Sequence, residues 1–299
     1  MNTPQTAIIP DHCTAGLFIE ATVADRSRIA AACRESLALL QDFQARFPDS
    51  DLGLTIAFGA ELWQSLNHAD EGREIKPFRA LGSGLCPATQ ADLMFHIQSL
   101  NHGVNYKLAE AVLAAFGSSI SVEHEEAGFR LPQERGVEGF VDGTENPQGD
   151  ENVAAVGVIA EGADAGGSYI VLQKYLHDLD KWNRISVPEQ EACIGRSKED
   201  NIEFARADRL DDSHLNRTNI KENGAGLKIV RRSLPFGKVS GEHGLMFIAY
   251  CARLHNIEQQ LLMMFGEADG KTDLLLKHLS TVKRSAYYFA PSQERLAAL

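Results

Sequence analysis

The chain has 299 residues, 44% of them apolar, and a formal net charge of −12 from 41 acidic and 29 basic side chains. That length suits one large domain or two ordinary ones, with enough apolar mass for a real core rather than a disordered chain. The acidic balance argues against an electrostatic grip on nucleic acid or anionic lipid, and no run approaches the roughly 18 apolar residues that span a bilayer.

The opening, MNTPQTAIIPDH, has no basic region followed by an apolar stretch, so no secretion signal is expected. Cys13, Cys33, Cys86, Cys193 and Cys251 are odd in number, far apart and without a C-x-x-C pair. Reduced thiols in a cytoplasmic protein are the expectation.

Six apolar runs read as strands: AGLFIEA (15–21), LGLTIAF (52–58), DLMFHIQS (92–99), SYIVLQKY (168–175), LKIVRRS (227–233) and GLMFIAYCA (244–252). Residues 26–46, 105–116 and 253–265 carry apolar side chains at helical spacing, as in Ile29, Cys33, Leu37 and Leu40. Asp92-Leu93-Met94-Phe95 precedes a helix ending in Phe116-Gly117, and Gly244-Leu245-Met246-Phe247 precedes one ending in Phe265-Gly266, about 150 residues on. A strand–helix–strand unit used twice, with helices on one side of mostly antiparallel strands, predicts a duplicated α+β fold. Residues 145–167 are polar and Gly-rich and read as the link between halves, which divides the chain into 1–150 and 151–299. The polar stretch from Cys193 to Gly226 is too long for a plain loop in a compact domain, so it is functional or disordered.

Three segments can carry chemistry. In GFVDGTENP (139–147), Asp142 lies between Gly139 and Gly143, with Glu145 and Asn146 as further acceptors. It reads either as a surface turn or as an acid–base group held on a permissive backbone; the EF-hand spacing that would indicate calcium is absent. In DSHLNR (212–217), His214 is a metal ligand, a general base or merely solvated. None of the ten histidines forms a paired metal-ligand motif, although one axial haem ligand would leave only such a faint trace. In GLKIVRRSLPFG (226–237), strand alternation puts Ile229, Arg231 and Ser233 on one face and Lys228, Val230 and Arg232 on the other, which reads as solvated.

Together GFVDG, SHLNR and IVRRS, in this order and spacing, resemble the dye-decolourising peroxidases, whose signature is GxxDG. DGTENP, IVRRSLPFG and CARLHNIEQQLLMMFG resemble the bacterial B-type, YfeX-like branch, and the resemblance spans essentially the whole chain. It implies two ferredoxin-like halves around one haem b per chain. His214 would be the axial ligand and metal-binding residue, with Asp142 and Arg231 on the opposite, peroxide-binding face and Ser233 near them. Val141, Gly143 and Thr144 would border the haem edge, while Ile229 and Phe247 would pack over the distal pocket. Asp273, in DGKTDLLLKH, would hold the second nitrogen of His214. The implied activity is reduction of hydrogen peroxide with oxidation of aromatic, dye-type or porphyrin-like donors, in a cytoplasmic homo-oligomer with no nucleic-acid or membrane partner. Trp63, Trp182 and six tyrosines are candidate surface relays, though each reads more simply as core. A haem carrier or iron-releasing protein is the competing reading; a chlorite-decomposing relative would lack the GxxDG aspartate.

Overall fold

The computed structural model describes residues 2–66 and 70–299. The first half runs β1 (Ala15–Val23), α1 (Ile29–Arg46), β2 (Gly53–Phe58), α2 (Ala60–Leu66), β3 (Leu93–Ser99), α3 (His102–Phe116) and β4 (Ile120–Phe129). Helix α4 (Asp150–Gly157) follows. The second half runs β5 (Ser168–His177), α5 (Leu179–Trp182), α6 (Val187–Ile194), α7 (His214–Thr218), the small hairpin β6 (Lys221–Glu222) and β7 (Ala225–Gly226), β8 (Val230–Arg231), β9 (Leu234–Gly237), β10 (His243–Cys251), α8 (Leu254–Met264), α9 (Leu274–His278), β11 (Ser280–Ala290) and α10 (Gln293–Ala297).

All pairings in the main sheet are antiparallel, in the order β4-β1-β3-β2-β11-β5-β10-β8, with β9 also pairing β10. Each half therefore repeats the ferredoxin-like order: fourth strand, first, third, second. The expected duplication is present, and β3–α3 of the first half corresponds to β10–α8 of the second. Both helices end at a glycine with positive φ, Gly117 (+53°) and Gly266 (+75°), a backbone region that glycine enters without the strain of a side chain.

Alternation along the strands sorts two cores. Leu17, Ile19, Phe95 and Ile97 lie on the helix-bearing face with Cys33, Leu40, Leu108 and Val112. Phe18, Met94, Ile170, Met246, Ile248 and Tyr288 lie on the other face and form a second cluster that unites both half-sheets. The sheet curls to enclose this second cluster. Leu234 of β9 reaches across to β1 and β4, where a Cβ added to Gly16 or Gly128 would sit 2.7 Å from its side chain. Lys174–Glu126 (2.7 Å) and Arg284–Glu20 (2.6 Å) tie the halves together. His96 is fully buried in this interior, stacked on Phe18 with ring centroids 4.9 Å apart, and its Nδ1 lies 2.8 Å from the Tyr250 hydroxyl.

Several elements differ from expectation. Only Val230–Arg231 of the 227–233 run is paired as strand, because the run breaks into β8 and β9 on either side of Arg232 and Ser233. Arg232 is buried, not solvated. The N-terminal segment crosses over it, and its guanidinium donates to the carbonyls of Ile8, Ile9 and Arg231. The linking stretch holds α4, whose Val153 joins the inner cluster. Strands β4 and β11 lie outside the six expected runs: β4 carries Glu123, Glu125 and Glu126, and in β11 Arg284 sits beside a bulge and is neutralised by the buried Glu20. Trp63 and Trp182 are core residues, and Tyr106 alone among the tyrosines is well exposed. All five cysteines are free and buried, and no helix among the described residues is long and apolar enough to cross a membrane.

Candidate active site

A cavity opens on the helix-bearing face of the second half. Leu245 and Phe247 of β10 form part of its floor, and Ile257, Leu261 and Met264 of α8 form one wall. Strand alternation accounts for the floor: Leu245 and Phe247 are one step out of phase with Met246 and Ile248, which face the inner cluster. The long stretch from Cys193 to Gly226 supplies Ile194, Arg196, His214, Leu215, Thr218 and Ile220 to the lining, so its length encloses a site.

His214 opens α7. Its Nδ1 lies 2.7 Å from Oδ2 of Asp273, whose side chain is fully buried. The other oxygen of Asp273 accepts the Leu275 N–H at 2.8 Å and so caps α9. A carboxylate bonded to Nδ1 fixes the ring and leaves Nε2 for a ligand. Behind His214, Arg217 is buried and donates to both oxygens of Asp269 at 2.9 and 2.6 Å and to the Met263 carbonyl at 3.0 Å, which fastens α7 to the end of α8.

The GFVDGT loop (139–144) forms another part of the wall through Phe140, Val141, Asp142 and Thr144. The Asp142 backbone N–H is held by the Glu134 carbonyl at 2.8 Å, and one carboxylate oxygen accepts the Gly143 N–H at 2.7 Å. Gly143 has φ of +79°, a region that an L side chain adopts only at a cost. Arg231 Nη1 lies 3.4 Å from Asp142 Oδ1, an ion pair too long for a good direct hydrogen bond. Among the described residues no hydrogen bond engages the Arg231 guanidinium, so its donors remain available. Arg231 and Asp142 also line a polar recess behind the cavity, together with Gly143, Asn146 and Ser233.

The structure therefore brings His214, Asp142, Arg231, Val141, Thr144, Ile229 and Phe247 to one cavity, with Asp273 behind the histidine. Gly143 and Ser233 lie on the recess side. The Ser233 hydroxyl is engaged with the backbone of Ile248, accepting its N–H at 3.2 Å and contacting its carbonyl at 3.4 Å.

Residues beyond the expected set also contribute. Burial pushes the Glu138 carboxyl in the cavity wall up to about 7, and the charge of Asp142 adds to this. Burial pushes His177 down to about 4, so it is a neutral lining group near pH 7. The GTENP stretch clasps two segments, one around 196–201 and one at 228–231. Thr144 Oγ1 accepts from Asn201 at 2.9 Å, Glu145 pairs with Arg196 at 2.5 Å and Lys228 at 3.2 Å, and the Asn146 amide meets the backbone of Arg231. The acceptors in this stretch were visible in sequence; their partners, 51 to 85 residues away, were not.

Among the described residues no group of three or more His, Cys, Asp or Glu side chains could hold a metal ion alone. One carboxylate-backed histidine in a broad apolar cavity fits a flat, mostly apolar macrocycle that brings its own metal and equatorial ligands. Duplicated ferredoxin-like halves with such a cavity, its wall also carrying an aspartate–arginine pair, define a class of redox protein built around a bound cofactor. The chain matches the family models described as Dyp-type peroxidase, N-terminal, over residues 5–130 and Dyp-type peroxidase, C-terminal, over residues 133–295. It belongs to the Dyp-type peroxidase family.

A dye-decolorizing peroxidase of Brevibacterium linens is 36% identical over 304 residues, covering 98% of this chain and 82% of that protein. A dye-decolorizing protein from V. cholerae has the same fold with a TM-score of 0.93 at 38% identity, covering 98% of this chain and 99% of that one. A variant of DypB from Rhodococcus jostii, solved in complex with heme, gives a TM-score of 0.93 at 31% identity and covers 99% of each chain.

Proposed function

We propose that this peroxidase holds one haem b in the cavity through Nε2 of His214 and reduces hydrogen peroxide with Asp142 and Arg231. The reading rests above all on His214. Its Nδ1 is secured 2.7 Å from the buried Asp273, in an apolar cavity whose wall also carries the Asp142–Arg231 pair. Val141, Thr144, Ile229 and Phe247 would enclose the macrocycle, with Gly143 allowing the loop to turn beside its edge. The division at residues 150 and 151 would then have the first half supply Asp142 and the second supply His214 and Arg231.

Bound haem supplies the iron at which the peroxide O–O bond is cleaved and the oxidising equivalents for donors. Asp142 takes the proton from one peroxide oxygen and returns it to the other, which leaves as water. Arg231 places a fixed positive charge and free N–H donors beside the departing oxygen, where negative charge develops. The 3.4 Å separation of the pair leaves both side chains able to engage a small oxygen ligand. Ser233 bears on the pair from the recess. The overall balance takes one peroxide, two protons and two electrons to two waters; aromatic, dye-type or porphyrin-like donors give the electrons one at a time.

Placement in the B-type, YfeX-like branch is supported by DGTENP and IVRRSLPFG and by the fold match to DypB. A cytoplasmic homo-oligomer, dimer or larger, completes the reading; analytical ultracentrifugation and cell fractionation test it. The test of function is rapid mixing of the haem-loaded protein with one equivalent of peroxide. A fast spectral change that organic donors reverse in two one-electron steps is expected. A spectrum indifferent to peroxide would identify a haem carrier instead.

A further inference from the structure

We propose that Asn146 is a positioning residue: its side-chain amide fastens the backbone of Arg231 and thereby sets the Arg231 guanidinium against Asp142. The proposal rests on the reading above that Arg231 acts on peroxide.

The geometry begins with the sheet edge. In β8, Arg231 lies opposite Ala249 of β10. The next residue, Arg232, donates its N–H to the Ile248 carbonyl at 3.0 Å. In an antiparallel ladder, alternate residues point their N–H and C=O toward and away from the partner strand. Arg231 is one of those pointing away, and β8 is the last strand on this side of the sheet. Its N–H and C=O would have no strand to meet. The Asn146 amide meets both: Oδ1 accepts the Arg231 N–H at 2.9 Å, and Nδ2 donates to the Arg231 carbonyl at 3.0 Å. One side chain thus takes the place of a ladder partner, sharing the carbonyl with Arg232 Nη1 (3.0 Å) and holding the N–H alone.

Asn146 is itself fixed to the loop that carries Asp142. Its backbone N–H donates to the Gly143 carbonyl at 2.9 Å, closing a turn directly after Asp142. The catalytic carboxylate and the catalytic guanidinium come from segments 89 residues apart, joined here through a four-residue turn and one amide. The direct contact between the two side chains is long, at 3.4 Å, and cannot set their spacing alone. Thr144 holds Asn201 instead; Glu145 pairs with Arg196 and also reaches the Arg231 run at Lys228 (3.2 Å), but through a half-exposed side-chain ion pair that leaves the Arg231 backbone to Asn146 alone in this loop.

The test compares wild type, Asn146→Ala, Arg231→Ala and the double variant, each loaded with haem, by stopped-flow reaction with peroxide. Asn146→Ala alone is expected to slow the reaction by up to about 100-fold, the scale of an ångström-sized misplacement. In the Arg231→Ala background it is expected to cost no more than about twofold, because its effect passes through Arg231. Equal losses in both backgrounds would overturn the proposal. If Arg231→Ala leaves the rate unchanged, the reading of Arg231 falls and takes the proposal with it, a result distinct from additivity. A second measurement needs no haem: amide hydrogen exchange over residues 227–233 of the apoprotein should accelerate in Asn146→Ala, and unchanged exchange would also overturn the proposal. Should Asn146→Ala fail to fold, Asn146→Asp carries both measurements, since it keeps the acceptor for the Arg231 N–H and loses the donor to its carbonyl.

Discussion

Asp273 divides its two carboxylate oxygens between His214 and the first turn of α9, so the orientation of the imidazole and the start of a helix depend on one buried side chain. Asp273→Ala is expected to lower haem affinity by about 10- to 100-fold, the usual cost of removing such a partner. It should also reduce unfolding free energy by about 1 kcal/mol through the lost cap. Haem transfer to an apoglobin acceptor and urea denaturation measure the two effects. His214→Ala should abolish the wild-type absorption spectrum of the haem-loaded protein; an unaltered spectrum would place the ligand elsewhere.

Arg231 and Lys differ at this site although their charge is equal. Arg231→Ala is expected to slow the reaction with peroxide by about 10²- to 10³-fold, the cost of removing a donor aimed at developing charge. Arg231→Lys should recover only part of this, because an ammonium lacks the fixed fork of the guanidinium. Asp142→Ala is expected to cost about 10²- to 10⁴-fold, the range for a lost acid–base group. Second-order rate constants against peroxide concentration decide each; a full-rate Asp142→Ala would assign the proton relay to another group.

Arg217, which is not among the cavity-lining residues, anchors the helix that begins at His214. Removing it breaks two charged hydrogen bonds to Asp269 and one to a helix-terminal carbonyl. Arg217→Ala should cost about 1.5–3 kcal/mol of stability and speed haem loss, with the peroxide rate of the haem that remains near wild type. A large drop in that rate at full haem occupancy would show that Arg217 does more than hold α7.

One buried and two half-buried histidines are expected to lower stability in acid. Burial pushes His96 down to about 3, His124 to about 4 and His177 to about 4, whereas an unfolded histidine titrates near 6.5. Between these values the unfolded chain binds more protons, so stability is full above about 6.5 and falls as pH drops toward 4, by up to about 1.4 kcal/mol per pH unit for the fully buried His96 and by less for His124, which keeps solvent contact. Glu138 acts in the opposite sense. Its carboxyl is raised from 4.5 to about 7, so its contribution is present below 4.5 and lost as pH rises through 7. Three sites against one leave a net loss on acidification. Urea midpoints from pH 8 to pH 4.5 should fall, and His124→Gln should flatten the slope; a midpoint independent of pH would refute the burial of neutral histidines.

The parts of the site fixed by local pattern were legible in the sequence. Helices at 26–46, 105–116 and 253–265 follow apolar spacing, and the structure has them at Ile29–Arg46, His102–Phe116 and Leu254–Met264. GFVDG, SHLNR and IVRRS named three segments that do meet at one cavity. What sequence could not carry was the pairing of distant groups. Nothing local in 227–233 says that Arg232 is covered by the N-terminal segment while Arg231 is left with open donors. Nothing in TENP says which strand Asn146 will clasp. Strand β11 was missed for the same reason: its Arg284 reads as surface until Glu20, 264 residues earlier, is seen against it.

That strand has a consequence for biogenesis. β11 stands in the middle of the sheet, between β2 of one half and β5 of the other, yet every other strand is synthesised before it. Without β11 each half-sheet has an unpaired inner edge, and the contacts that join the halves are of very long sequence separation, the kind that forms slowly. A nascent protein stalled before residue 280 exposes two open edges to its neighbours.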